Sequence, residues 1–167
     1  MQKEYKINQV NPSKGALDFS YLLDAPAGKH GFVQAKNGHL YYEDGTRARF
    51  LGFNMATRSN AVNHELAEKL AGRFASLGVN VIRLHAADAP IGEQERSWSS
   101  CKEAPLLDYE KGNGREFHLE GLDRFDYFVA KLKERGIYLH IDLIVARDFV
   151  EGDGLDYPGN AGSCIKR

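Results

Sequence analysis

The sequence predicts an α/β fold: a partial (β/α)8 TIM barrel, about the first three βα units, preceded by a β-hairpin. Two copies of one local pattern carry that reading. In the first, Leu77-Gly78-Val79-Asn80-Val81-Ile82-Arg83-Leu84-His85-Ala86-Ala87-Asp88, an amphipathic helix stops at a glycine, a short apolar strand follows, and polar side chains gather at its end. Helix, left-handed glycine, buried strand and functional groups at the strand's carboxyl end recur in barrels of this class. In the second, Leu132-Lys133-Glu134-Arg135-Gly136 closes a helix and Ile137-Tyr138-Leu139-His140-Ile141-Asp142-Leu143 runs on as a strand. A third observation lies upstream. Asn37-Gly38 between Phe32-Val33-Gln34-Ala35-Lys36 and His39-Leu40-Tyr41-Tyr42 is a strong hairpin signal.

Residues 1–30 mix Pro12, Gly15, Pro26 and Gly28 with scattered apolar residues and read as an irregular lead segment. Residues 31–167 read as the amino-terminal part of the barrel, with the hairpin as a plug below it. After a turn at Glu43-Asp44-Gly45-Thr46, the first barrel strand is expected near Phe50–Asn54, the second near Val79–Leu84 and the third near Ile137–Leu143. Asn63 suits the N-cap of a helix over His64–Leu77, with Leu66, Leu70, Phe74 and Leu77 on one face. Leu122, Phe125, Val129 and Leu132 mark a second helix over Leu119–Arg135. Residues 89–118, rich in proline, glycine and polar side chains, read as a long excursion on the face where such barrels carry their sites. Residues 151–162 read as a further loop.

Composition narrows the function. With 167 residues, 43% hydrophobic and 27% charged, the chain has the make-up of one folded domain, and a net charge of −1 without a Lys/Arg cluster gives no reason to expect nucleic acid or a membrane surface. The amino terminus has no apolar run of signal-peptide type and no stretch reaches spanning length, so the sequence as written reads as cytoplasmic. Cys101 and Cys164 lie far apart in loop-like sequence, which argues against a disulfide framework.

Alternation along strands groups the candidate site. Tyr138, His140 and Asp142 share one face and Leu139 and Ile141 the other; Val81, Arg83 and His85 oppose Ile82 and Leu84; Phe50, Gly52 and Asn54 go together. With the apolar faces outward toward helices, Asn54, Arg83, His85 and Asp142 converge near the upper rim. Arg83 and Asp142 read equally as a neighbouring-strand ion pair that satisfies two buried charges and as part of a site. His140, between apolar neighbours, reads as a core histidine. His85 and Asp88 follow the strand and are expected to reach solvent; their spacing would suit a metal, but no third ligand accompanies them, so no metal is expected. Trp98, with Tyr109 nearby, is suited to stacking on a sugar or to anchoring the long loop. Gly152 and Gly154 do not form a phosphate loop, and no cofactor is expected.

With those residues in view, the chain resembles the amino-terminal part of clan A glycoside hydrolases, most closely the cellulase-like family 5. The resemblance runs through Ala25-Pro26-Ala27-Gly28-Lys29-His30-Gly31-Phe32, then Asp44 to Asn54, then Gly78 to His85, then Gly136 onward. It implies hydrolysis of O-glycosidic bonds in polysaccharides, a carbohydrate partner, and substrate-binding roles for Asn54, Arg83, His85, Asp88, Trp98 and Asp142. Arg83 looks like the family arginine that supports the nucleophilic carboxylate. Ile144 stands where the family commonly has a histidine. The departure that matters more is chemical. Retaining glycosidases need two carboxyl groups about 5–5.5 Å apart, which the family carries as glutamates after its fourth and seventh strands, and this chain has no such glutamate and no Asn-Glu pair. The leading expectation is therefore a truncated hydrolase-like protein, inactive alone, that forms a homo-oligomer or lacks a carboxy-terminal part. The alternatives are a non-catalytic carbohydrate- or partner-binding module, and an oligomeric half-barrel with chemistry of its own.

Overall fold

The computed structural model describes residues 17–89, 104–142, 144–145, 147–155 and 159–160. Strand β1 (Val33–Lys36) pairs antiparallel with β2 (His39–Tyr42). Asn37 and Gly38 between them both take positive φ, 51° and 74°, the backbone that a two-residue hairpin needs. Strands β3 (Gly52–Ala56), β4 (Val81–His85) and β5 (Tyr138–Ile141) form one parallel sheet in that order. Helix α1 (His64–Ser76) joins β3 to β4, and α2 (Leu119–Glu134) precedes β5. A small antiparallel ribbon pairs β6 (Asp148–Phe149), just before the stretch expected to be loop, with β7 (Gly159–Asn160) inside it.

Both helices end in the same way. The Gly78 N–H bonds the Ala75 carbonyl and the Val79 N–H that of Phe74; the Gly136 N–H bonds Lys133 and the Ile137 N–H bonds Leu132. These are paired Schellman closures, and they require the left-handed backbone found at Gly78 (φ 73°) and Gly136 (φ 80°). Each closure hands the chain directly to a strand and buries its first apolar residue, Val79 or Ile137, in the core. At the other ends, the Asn63 side chain accepts the Leu66 N–H at 2.9 Å and the His118 Nδ1 accepts that of Gly121 at 3.2 Å.

One apolar cluster holds these elements together. Met55, Ile82 and Leu84 from the sheet meet Ala67, Ala71, Phe74 and Ala75 of α1 and Phe128 and Leu132 of α2. Phe53 sets its ring edge-on to Phe74, 4.8 Å between centroids. Both helices thus serve the face of Ile82 and Leu84, and Arg83 on the opposite face is exposed. At the amino-terminal end of the sheet, Tyr42 of the hairpin stacks on Tyr138 at 5.5 Å while Phe50 meets both rings edge-on. Residues of the lead segment bind the helix ends, through Phe19 N–H to Ser76 O and Ala27 N–H to Lys133 O.

Strand limits differ from the expected ones for a local reason. The ladder starts at Gly52 rather than Phe50, because Asn80 acts as the partner of the preceding residues. Its side chain accepts the Leu51 N–H at 2.7 Å and donates to the Arg49 carbonyl at 2.8 Å. Val79 and Ile137 are drawn out of their strands by the helix closures described above. Gly52 itself lies tight against its neighbour: a Cβ there would sit 2.0 Å from the Val81 carbonyl oxygen.

Candidate functional site

The candidate site lies at the carboxyl ends of the three parallel strands. Register places Asn54, Arg83 and His140 side by side across β3, β4 and β5, with Asp142 just past the end of β5. Arg83 forks onto Asp142: Nε donates to Oδ1 at 3.1 Å and Nη2 to Oδ2 at 2.7 Å. His85, two residues further along β4, brings Nδ1 to the same Oδ2 at 2.5 Å. An ionised carboxylate only accepts, so this contact assigns a proton to Nδ1 of His85. The Asp142 side chain is 10% exposed while Arg83 is 44% exposed. The Arg83 guanidinium, and after it His85, hold the Asp142 carboxyl below its ordinary value of 3.8.

His140 is not the core histidine expected from its apolar neighbours. Its side chain is 68% exposed, with Nε2 3.7 Å from Asp142 Oδ1. The edge position of β5 explains the difference, since no further strand covers it among the described residues. Asp88 departs the other way. Expected to reach solvent, it is buried, and its Oδ2 accepts the backbone N–H groups of Val145 at 2.8 Å and Arg147 at 3.2 Å. Its carbonyl accepts the Tyr109 hydroxyl at 2.7 Å. Asp88 and Tyr109 therefore tie the loops that follow β4 and β5 together beside the site. Ala86 starts that path: it is buried at φ 53°, a left-handed turn directly after β4. Trp98 falls outside the described residues.

Sequence reasoning missed a second clasp. Asp153 accepts the N–H groups of Val150 at 2.9 Å and Gly114 at 2.8 Å, together with Arg147 Nη2 at 2.7 Å. The Val150 amide leads the interactions that lower the Asp153 pKa. An isolated Asp-Gly in a loop gives no signal of such long-range pairing. His118 was equally silent, because histidine is not a common N-cap.

The crest thus offers one carboxylate held by three hydrogen bonds, a half-exposed guanidinium, two imidazoles and the Asn54 amide. Groups of this kind can donate and accept hydrogen bonds. Asp142 is engaged by Arg83 and His85, and Asp88 by backbone amides. Among the described residues no group of three or more His, Cys, Asp or Glu side chains has the arrangement to hold a metal ion. None of the described helices is long and apolar enough to cross a membrane.

No protein-family model matches the chain, and no curated protein matches it. Among solved structures it is similar to a glycoside hydrolase family 5 protein from Bacteroides vulgatus ATCC 8482, with 15% identity and a TM-score of 0.49. It is also similar to a structure described as a glycoside hydrolase, with 16% identity and a TM-score of 0.47. Each match covers 71% of this chain and 26% of the other, so the chain spans about a quarter of the length of the structures it matches.

Proposed function

We propose that this chain forms the first three βα units of a (β/α)8 barrel of the glycoside hydrolase kind, and that Asn54, Arg83, His85 and Asp142 line a carbohydrate site on its crest. One observation carries the reading. Arg83 and His85 converge on the single carboxylate of Asp142 from the carboxyl ends of adjacent parallel strands, on the face away from the helices. That is where barrels of this class place their chemistry. The sequence resemblance supplies the substrate class, and the hydrogen-bonding groups of the crest are compatible with it. The same three strands end without a glutamate, so the proposed role of these 167 residues is to bind glycan, with hydrolysis requiring carboxylates they do not present. The two sheet edges that no further strand pairs among the described residues lead us to propose self-association as well.

The direct test is titration of the isotope-labelled chain with neutral β-linked oligosaccharides. Binding should shift the resonances of Asn54, Arg83 and His85 together. Arg83→Lys, which keeps the charge but cannot fork, should weaken binding about tenfold or more. A panel of oligosaccharides that leaves the crest resonances unmoved would refute the assignment.

A further inference from the structure

At the opposite end of the sheet, a second polar cluster takes no part in the proposed carbohydrate site. His30, near the end of the lead segment, presents Nε2 to the Asp24 carboxylate and Nδ1 to the Asp44 carboxylate in the turn after β2. An ionised carboxylate can only accept, so both bonds form only when both ring nitrogens carry protons. A neutral imidazole would turn one lone pair toward a carboxylate and lose one of the two arms. The arms join different pieces of chain, residues 24–30 on one side and the hairpin turn on the other. We propose that His30 is a protonation-dependent latch that fastens the hairpin to the lead segment across the amino-terminal end of the sheet, closed when the imidazole is charged and released when it is neutral.

The surroundings of His30 fit a latch rather than a passive contact. Tyr42 lies against its ring at 5.7 Å and stacks in turn on Tyr138, so the hairpin's hold on β5 runs past the latch. Burial, and next Tyr138, push the Tyr42 hydroxyl up to about 12, so it stays neutral through the range in which His30 titrates. Below these groups lies a cavity of about 220 Å³ reached by Arg47 and Arg49 as well as His30 and Asp24. Lys29 binds Asp24, and Glu43 lies beside Gly31, the next residue after His30. Asp24 foremost, then Asp44, hold the His30 imidazolium above the ordinary histidine value of 6.5. Lys29 foremost lowers Asp24, and the Thr46 backbone N–H foremost lowers Asp44, both below 3.8.

The signs define a window. A raised histidine contributes fully below 6.5, and its contribution is lost as pH rises through the folded-state value. Depressed carboxylates contribute above 3.8 and fail as pH falls through their own folded-state values. The latch is therefore shut between the folded-state values of the two carboxylates and that of His30, and it opens as pH rises through the latter, which lies above 6.5.

Nuclear magnetic resonance on the full chain reads both halves of this proposal. The His30 ring should titrate above 6.5. Protection from hydrogen exchange at the Tyr42 and Ala48 amides, which bond Thr46 and Leu40 carbonyls, should fall as pH passes through that midpoint. Each unit of displacement corresponds to about a tenfold loss of protection, while amides within α1 keep theirs. Asp44→Asn should move the midpoint downward; Asp24→Asn, at the more exposed carboxylate, should do the same and serves if the first variant does not fold. Hairpin protection that stays level through the His30 titration, or a His30 midpoint at or below the ordinary value, would overturn the proposal.

Discussion

Arg83 holds Asp142 by both arms of its guanidinium from the adjacent parallel strand, and the carboxylate is far better shielded than the arginine that grips it. This asymmetry corrects the picture of an ion pair sealed in a barrel interior. The bond orders Asp142 just where β5 ends, and it leaves the outer side of Arg83 in contact with water. Solvent at the guanidinium screens the pair, so its value is positional more than energetic.

Asp142→Asn should therefore lower the melting temperature only modestly at neutral pH. Because the folded-state pKa of Asp142 is depressed, the carboxylate's contribution is present above 3.8 and disappears as pH falls through the lower folded value. Melting curves of the two proteins should converge in acid and separate as pH rises. Curves that stay parallel at every pH would show that the charge is not what matters.

The core makes the opposite case. Phe128 of α2 is fully buried in the cluster that joins both helices to Ile82 and Leu84. Phe128→Ala should cost about 3–5 kcal/mol, the usual range for emptying so large a site, as measured by urea unfolding at neutral pH. A loss under about 1 kcal/mol would mean that the helices are not packed on the sheet as described.

How much of this was legible beforehand depended on the range of the interaction. Gly78 and Gly136 announced helix ends, because a left-handed residue is a local demand that the chain must meet with glycine. Alternation in Val81-Ile82-Arg83-Leu84-His85 gave the faces of the central strand, because it has neighbours on both sides. Its apolar neighbours misled about His140, since an edge strand leaves residues exposed that a central one would bury. Asp88 and Asp153 escaped for a different reason. Their partners are backbone amides distant in sequence, and nothing in an isolated aspartate distinguishes one that binds ligand from one that closes a loop.

Hydrolysis by the isolated chain provides a third test. Asp142 is paired with Arg83 and His85 and Asp88 accepts backbone amides, whereas a retaining mechanism needs two carboxyl groups about 5–5.5 Å apart acting as acid and nucleophile. Purified protein should release no aryl leaving group from aryl-glycosides and no reducing ends from polysaccharides. Turnover that vanishes in Asp88→Asn or Asp142→Asn would reassign these residues from structural to catalytic roles.

The sheet edges yield the last prediction. Parallel sheets are ordinarily covered on both faces and closed or protected at their edges. Here β3 and β5 are the outer strands of the three-stranded sheet, and both helices pack on one face. Leu51 just before β3, Phe53 within it and Ile141 at the end of β5 stand exposed. Burying such residues against a second copy gains about 25 cal/mol for each Å² of apolar surface removed from water, and it supplies partners for strand edges that are unpaired among the described residues. Sedimentation velocity should accordingly show concentration-dependent self-association. Leu51→Lys and Ile141→Lys, which place charge on opposite edges without touching the buried cluster, should each shift the chain toward monomer and leave its cooperative melt intact. A wild-type chain that stays monomeric at every concentration and melts cooperatively would show that the edges need no second copy.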